Sequence, residues 1–247
     1  SVVDQMREDD LAVLELSSFQ LELMTRSPQV AAVLNITPNH LDRHGTMSAY
    51  TAAKAKILNF QQPGDIAVLN REDEGSWNLG NLVKSDIISF GQRQPPFKAS
   101  GTYLDKDWIW LQIGREQIKM LPVEWIQLRG KHNLSNVLAA CAIAAGATLA
   151  LPAIQGAVDE FQGVPHRLEF VRNVKGADWY NDSIATAPER SIAAIKSFDQ
   201  PIVLLLGGRD KRLPWDTLAD LVRRRVSRVI LFGEAADGLA GALRPGR

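Results

Sequence analysis

The chain has 247 residues, 45% apolar and 23% charged, an ordinary globular composition with room for one large domain or two modest ones. Twenty-eight basic and 28 acidic residues cancel without forming blocks of one sign, which removes the electrostatic case for a nucleic-acid or anionic-membrane partner. One cysteine, Cys141, cannot form an internal disulfide, and no signal-peptide pattern or membrane-length apolar run is readable, so a cytoplasmic protein is expected.

In chain order, Leu11 to Leu16 (LAVLEL) reads as a short buried strand with Glu15 near its carboxyl end. An acid there suits a magnesium ion beside bound phosphates, or equally a cap-region carboxylate favoured by a helix dipole. Ser17 and Ser18 offer a hydroxyl N-cap for a helix carrying Phe19, Leu21 and Leu23. Val30 to Ile36 is a second apolar strand, broken at Thr37-Pro38-Asn39 and followed at once by His40, Asp42 and His44. Parallel strands are near-continuously apolar and ligands bind beyond their carboxyl ends, so metal-competent side chains just past a strand mark candidate chemistry. The plain alternative makes His40 a cap and leaves Asp42 and His44 solvated.

Thr46 to Leu58 reads as an alanine-rich helix on which Lys54 and Lys56 cannot share a face; spacing alone favours a solvated Lys54. Pro63-Gly64-Asp65 is a turn into the strand Ile66 to Leu69, an acidic loop (Arg71 to Ser76) follows, and Asp86 to Phe90 is a further strand. Ser100 to Val123 has the look of an edge-covering hairpin insertion, with its tryptophans assigned to packing. After Gly130-Lys131-His132 a long small-residue helix begins. Asn133 and Asn136 lie on one face of its first turn, where capping explains Asn133 but explains Asn136 poorly. A second helix spans Ala153 to Phe161.

Gly163-Val164-Pro165 punctuates the chain as a hinge, dividing it into residues 1–163 and 164–247. His166 and Arg167 precede strands at Leu168 to Val174 and Trp179-Tyr180, and Asn181-Asp182-Ser183 again sits at a strand end. A helix follows Thr186 and Pro188. Then come strand Ile202 to Leu206, the loop GGRDKR with Lys211, helix Trp215 to Val226, strand Val229 to Phe232 and helix Ala235 to Leu243. Such alternation predicts an α/β protein with parallel sheets. Acid, imidazole, amide, lysine and arginine gathered at strand ends suit metal-assisted phosphoryl transfer in a cleft between two halves, with no nucleophile–base pair singled out. No GxxxxGK[ST] phosphate loop occurs in these residues.

Six segments in register, ELSSFQLE (15–22), NITPNHLDRH (35–44), YTAAKAKI (50–57), GKHNLSN (130–136), PHRLE (165–169) and NDSIAT (181–186), resemble the Mur ligases across essentially the whole chain. ELSSFQL is most similar to the members that add D-glutamate to UDP-N-acetylmuramoyl-L-alanine. The resemblance implies a central P-loop-NTPase-like domain followed by a Rossmann-like α/β domain, both incomplete. It implies ATP and Mg2+ as cofactors and UDP-N-acetylmuramoyl-L-alanine and D-glutamate as substrates; a monomer is expected, and the charge balance leaves no nucleic-acid or membrane partner. ATP phosphorylates the substrate carboxylate, and the amine of D-glutamate displaces phosphate from the acyl phosphate.

By the same resemblance Glu15 and His40 are metal ligands. Lys54 is the family's carbamylated lysine, the added carboxylate turning a cation into a metal ligand; this reverses the solvated reading. Asn133, Asn136, His166, Arg167 and Asp182 meet the nucleotide. Thr186 and Lys211 meet D-glutamate, and Ser17, Ser18 and Gln20 meet the muramoyl substrate. Lys54, His40, Arg167 and Lys211 form the catalytic set. Ile184 stands where some members have a lysine near ATP. Because the family's phosphate loop, N-terminal domain and distal C-terminal residues are not in this sequence, these 247 residues are expected to be a fragment that is inactive alone. The rival readings are another amide ligase of the superfamily such as folylpolyglutamate synthase, a non-catalytic nucleotide-binding module, and a zinc hydrolase built on His40, Asp42 and His44.

Overall fold

The computed structural model describes residues 2–38, 41–209 and 214–244. Two compact units are present, residues 1–120 with 138–150 and residues 121–137 with 151–247.

In the first unit a six-stranded sheet runs in the order β1 (Val30–Val33), β2 (Ile66–Asn70), β3 (Asp86–Phe90), β4 (Ser100–Asp105), β5 (Trp108–Ile113), β6 (Glu116–Pro122). β1 to β4 are parallel, and β5 returns antiparallel to β4. The segment expected to cover an edge therefore extends the sheet as a meander. β4 pairs with β3 directly, and the Asp- and Gly-containing turns that follow reverse the chain beside it. Helix α1 (Ser18–Leu21) is closed by a capping box in which Ser17 and Gln20 satisfy each other's backbone N–H groups. Helix α2 (Leu41–His44) follows β1, and helix α3 (Met47–Asn59) starts at the Thr46 cap. α3 buries Tyr50, Ala55 and Leu58 in one cluster with Ala31, Val33, Ala67 and Leu69 of the strands.

One expected strand does not form. Residues 11–16 are irregular, with Leu11, Val13 and Leu14 exposed at 63%, 91% and 73%. β1 is the terminal strand of the sheet, and no other described strand lies beside 11–16. An apolar run with no strand beside it has no ladder to join and leaves its backbone groups to water, so composition alone cannot make it a strand. A short helix that the sequence hid, α4 (Glu74–Asn78), replaces part of the expected acidic loop. Asp73 caps it, its Oδ1 accepting from Ser76 N (2.8 Å) and also from Ile36 N (3.0 Å). The residues just past β1 are thus pinned by a carboxylate that also starts a helix.

Helix α5 (Lys131–Gly146) contributes its first turns to the second unit and the remainder to the first, where the Leu138 carbonyl accepts from Thr102 Oγ1 (2.8 Å). The second unit continues with α6 (Leu151–Glu160), the antiparallel pair β7 (Glu169–Val174) and β8 (Ala177–Asn181), and α7 (Pro188–Lys196), entered through proline at its first turn. The parallel pair β9 (Ile202–Gly207) and β10 (Val226–Phe232) alternates with α8 (Asp216–Arg225) and α9 (Ala236–Leu243). Ile202, Leu204 and Leu206 of β9 pack with Ile195, Leu218 and Val222 of the helices, as a βαβ arrangement requires. The fold is α/β with predominantly parallel pairing in its larger sheet, as the sequence predicts.

Candidate active site

The candidate residues fall into two groups, one in each unit. In the first unit Glu15 is exposed on the irregular segment. Lys54 Nζ donates to the Asn35 carbonyl just past β1 (2.8 Å) and lies 5.3 Å from the Tyr50 ring centroid. Lys56, two positions on, reaches the Glu22 carbonyl instead, the divergence that helical geometry demands. Lys54 therefore turns toward the strand end. Ser17 Oγ donates to Gln20 Oε1 (3.0 Å) and accepts from Gln20 N, so both side chains are engaged with each other. Ser18 is directed to His44 Nε2 (2.9 Å). His40 lies outside the described residues. No group of three or more His, Cys, Asp or Glu that could hold a metal occurs among the described residues, which leave His40 aside. The zinc reading loses His44, because both its ring nitrogens are taken, by Ser18 and by Glu22 (3.2 Å).

In the second unit, Asn133, Arg167, Gln127, Arg129, Phe170 and Tyr180 line a cavity of about 210 Å3. That is smaller than the roughly 300–1,000 Å3 of ordinary ligand pockets, so it suits part of a nucleotide rather than the whole. Its chemistry fits one: aromatic faces, amides that can read a base or ribose, and guanidinium groups for phosphate. Asn133 Nδ2 donates back to the Arg129 carbonyl (2.7 Å), and Asn136 Nδ2 donates to Asn133 Oδ1 (3.2 Å). The pairing accounts for Asn136, which helix propensity left unexplained. Arg129 sits 5.0 Å and 5.2 Å from the ring centroids of Tyr180 and Phe198, a cation–π clamp at the entry to α5.

Arg167 stands between two residues in left-handed backbone conformation, His166 at φ 67° and Leu168 at φ 47°. Non-glycine residues reach that region only where surroundings hold them there. Here Glu169 Oε2 accepts from His166 N (2.8 Å), and Asp182 Oδ1 accepts from Leu168 N (3.0 Å). Asn181 Oδ1 accepts from Ser183 N, so its Nδ2 donates to His166 Nδ1 (2.8 Å), leaving the other imidazole nitrogen as the N–H. Asp182 thus acts on Arg167 through the backbone. Burial raises the Asp182 carboxyl above its ordinary value, opposed by the Leu168 amide and by the charges of Arg167, Arg190 and His132. Burial also lowers His132, helped by Arg167 and countered by Asp182. Thr186 is exposed past the β8 end, and Ile184 N donates to the His166 carbonyl (3.2 Å). Lys211 lies outside the described residues.

Sequence reading missed His132, Arg129 and Tyr180. His132 had a signal, its place inside GKHNLSN, whereas the aromatic partners of Arg129 are some fifty or more positions away and carried none.

An α/β protein with an amide-and-guanidinium cavity beside a strained, carboxylate-held arginine turn is the class this geometry defines. The chain belongs to the Mur ligase family: the Mur ligase middle domain matches residues 1–144, and the Mur ligase glutamate ligase domain matches residues 166–246. It is 43% identical over 234 residues to the UDP-N-acetylmuramoylalanine–D-glutamate ligase of Koribacter versatilis, covering 94% of this chain and 51% of that protein. It is 42% identical over 245 residues to the ligase of the same name from Symbiobacterium thermophilum, covering 99% and 54%. The chain spans about half the length of the curated relatives it matches. Among solved structures, MurF from Acinetobacter baumannii superposes with a TM-score of 0.66 at 20% identity, over 91% of this chain and 51% of that one. A bifunctional folylpolyglutamate synthase/dihydrofolate synthase, solved with Mn, AMPPNP and L-glutamate bound, superposes with a TM-score of 0.61 at 18% identity, over 89% and 52%. Both likenesses speak to the fold.

Proposed function

We propose that this chain is the catalytic part of an ATP-dependent amide ligase that joins D-glutamate to UDP-N-acetylmuramoyl-L-alanine in peptidoglycan precursor synthesis. The observation that carries the reading is Arg167, held at the cavity wall by a strained turn beside Asn133. Its support is the named activity of the relatives at 42–43% identity.

The chemistry joins two anions and so needs charge neutralised and reactants oriented. Arg167 takes nucleotide phosphate through its planar fork, and Asn133 with Asn136 behind it binds the nucleoside portion. His166 presents its remaining N–H outward, and Asp182 keeps the turn in place. Phosphoryl transfer to the substrate carboxylate gives an acyl phosphate. The D-glutamate amine attacks its carbonyl carbon, the C–O bond to phosphate breaks, and phosphate leaves with the bridging oxygen while the amine loses a proton. Thr186 and Lys211 meet D-glutamate, and Ser17, Ser18 and Gln20 border the muramoyl substrate. Glu15, His40 and Lys54 as its carbamate would hold Mg2+, which would supply neutralisation of phosphate charge; an exposed Glu15 and a Lys54 turned to the strand end are compatible with that role.

Residues 1–163 form the central domain and 164–247 the C-terminal domain, a division supported by the two family matches. The protein is a cytoplasmic monomer with no nucleic-acid or membrane partner, in keeping with its zero net charge; no described helix is long and apolar enough to cross a membrane. The test is phosphate release by the full-length protein supplied with ATP, Mg2+, UDP-N-acetylmuramoyl-L-alanine and one amino acid at a time. Release that needs D-glutamate is expected. Release with L-glutamate and a folate acceptor, or none with any pair, would overturn the assignment.

A further inference from the structure

Behind the turn that carries Ser17, Ser18 and Gln20 lies a side-chain chain that the proposed reaction leaves unused. His44 has a side chain only 3% exposed, and its two nitrogens meet different partners: Glu22 Oε1 at Nδ1 (3.2 Å) and Ser18 Oγ at Nε2 (2.9 Å). An ionised carboxylate can only accept, so a neutral His44 carries its proton on Nδ1. Nε2 is then a bare lone pair, and Ser18 must donate to it. The ring stacks on Phe19 (5.4 Å, 12°), which is itself covered by the Arg43 guanidinium at 4.0 Å, and meets Tyr50 of α3 at 5.3 Å. Lys56 of α3 donates to the Glu22 backbone carbonyl.

We propose that His44 is a positioning residue. Fixed as the Nδ1–H tautomer by Glu22, it accepts a hydrogen bond from the Ser18 hydroxyl at Nε2 and ties the turn bearing Ser17, Ser18 and Gln20 to the helix bearing Lys54. A serine–imidazole–carboxylate row has the form of a nucleophile with its base. Ser18, however, is 6% exposed and spends its proton inward, which makes the row a brace. The brace spans 26 residues between Ser18 and His44, the kind of long-range tie that a four-residue helix such as α1 needs to hold one position. A sharper consequence concerns hydrogen-bond direction. Because Ser18 gives its only proton to His44, the lone pairs of its oxygen are all that it can offer to any other group.

Two measurements test this, the second resting on the ligase reading above. In nitrogen-15 NMR of the 247-residue chain, His44 should show a protonated Nδ1 and a bare Nε2 whose resonance moves in Ser18→Ala. A protonated Nε2 with a bare Nδ1 would overturn the proposal. In the full-length enzyme, His44→Phe keeps the ring stack and removes both hydrogen bonds. It should raise KM for UDP-N-acetylmuramoyl-L-alanine by about tenfold, the scale of one lost hydrogen bond, while kcat and the KM for ATP hold. His44→Gln, whose Oε1 can still accept from Ser18, should recover most of the loss, and adding His44→Phe to Ser18→Ala should cost no more than Ser18→Ala alone. An unchanged KM in His44→Phe, or a fall in every kinetic parameter together with the melting temperature, would contradict positioning. A wild-type enzyme that does not ligate would defeat the ligase reading while the NMR result still decides the tautomer.

Discussion

Removing the Asp182 carboxylate should release the turn that presents Arg167, and the size of the effect follows from the backbone. His166 and Leu168 both lie at positive φ, a conformation that costs a residue with a side chain roughly 1–2 kcal/mol. Against that, the bond from Leu168 N to Asp182 Oδ1 has a charged acceptor, worth about 1.5–3 kcal/mol. Two such residues cost roughly 2–4 kcal/mol together, close to what the bond returns, so the turn is held by a narrow margin. In Asp182→Ala the Glu169 carboxylate at His166 N is the one carboxylate still opposing the strain, and 166–168 should relax toward ordinary extended backbone. Arg167 then leaves the cavity wall, and nucleotide affinity should fall by about 10- to 150-fold, the whole value of the clamp. Asp182→Asn keeps an oxygen facing Leu168 N and should lose much less. Calorimetric titration of the two variants with a non-hydrolysable ATP analogue separates them. The reasoning fails if Asp182→Ala binds as wild type, or if Asp182→Asn falls as far as the alanine variant.

The charges around the same turn should be visible in the titration of His132 by NMR. Arg167→Met removes a like charge and should raise its pKa, whereas Asp182→Asn should lower it further. Since the folded pKa lies below the unfolded one, the unfolded chain binds the extra proton as pH drops through about 6.5, and His132 makes acidification through that range destabilising. Gly130→Ala should also disturb this corner. Gly130 has φ 94°, and a Cβ there would sit 2.7 Å from His132 Cε1 and 3.2 Å from Ser197 Cβ. The backbone conformation alone costs roughly 1–2 kcal/mol, or about 2–8 °C in melting temperature for a chain of this size, read by calorimetry; an unchanged melting point would refute it. Cys141 is buried, and burial pushes its thiol up to about 12. At pH 8 a disulfide reagent should label it roughly 10³-fold more slowly in the folded chain than in denaturant, because about a tenth to a quarter of an ordinary thiol is ionised there and about one in 10⁴ of a thiol raised to about 12. Above about pH 9 the unfolded thiol ionises first, so this group makes the fold less stable as pH rises toward 12.

The strand–helix alternation was legible because it is written in local periodicity: β3 has the expected bounds, and α3, α7 and α9 start within about two residues of expectation. The chemistry-bearing motifs were legible as residue types at strand ends, and the structure brings Asn133 and Arg167 to one cavity. What escaped depended on partners distant in sequence. Leu11 to Leu16 has a strand's composition but no described strand beside it. His44 could be read only as a metal-competent or a solvated side chain, because Ser18 and Glu22 lie 26 and 22 positions upstream. Arg71 gave no local hint either. It reads as a loop cation, yet its guanidinium donates to Ser89 Oγ and to the carbonyls of Gly91, Arg93 and Thr102, and burial lowers its pKa to about 10.

The central claim is that ATP activates the substrate carboxylate as an acyl phosphate before the amine attacks. It is tested most directly by labelling the L-alanine carboxylate of UDP-N-acetylmuramoyl-L-alanine with oxygen-18 and analysing the products of the full-length enzyme with ATP and D-glutamate. One labelled oxygen should appear in the released inorganic phosphate for every peptide bond formed. Label found in AMP, or phosphate released without label, would contradict the account.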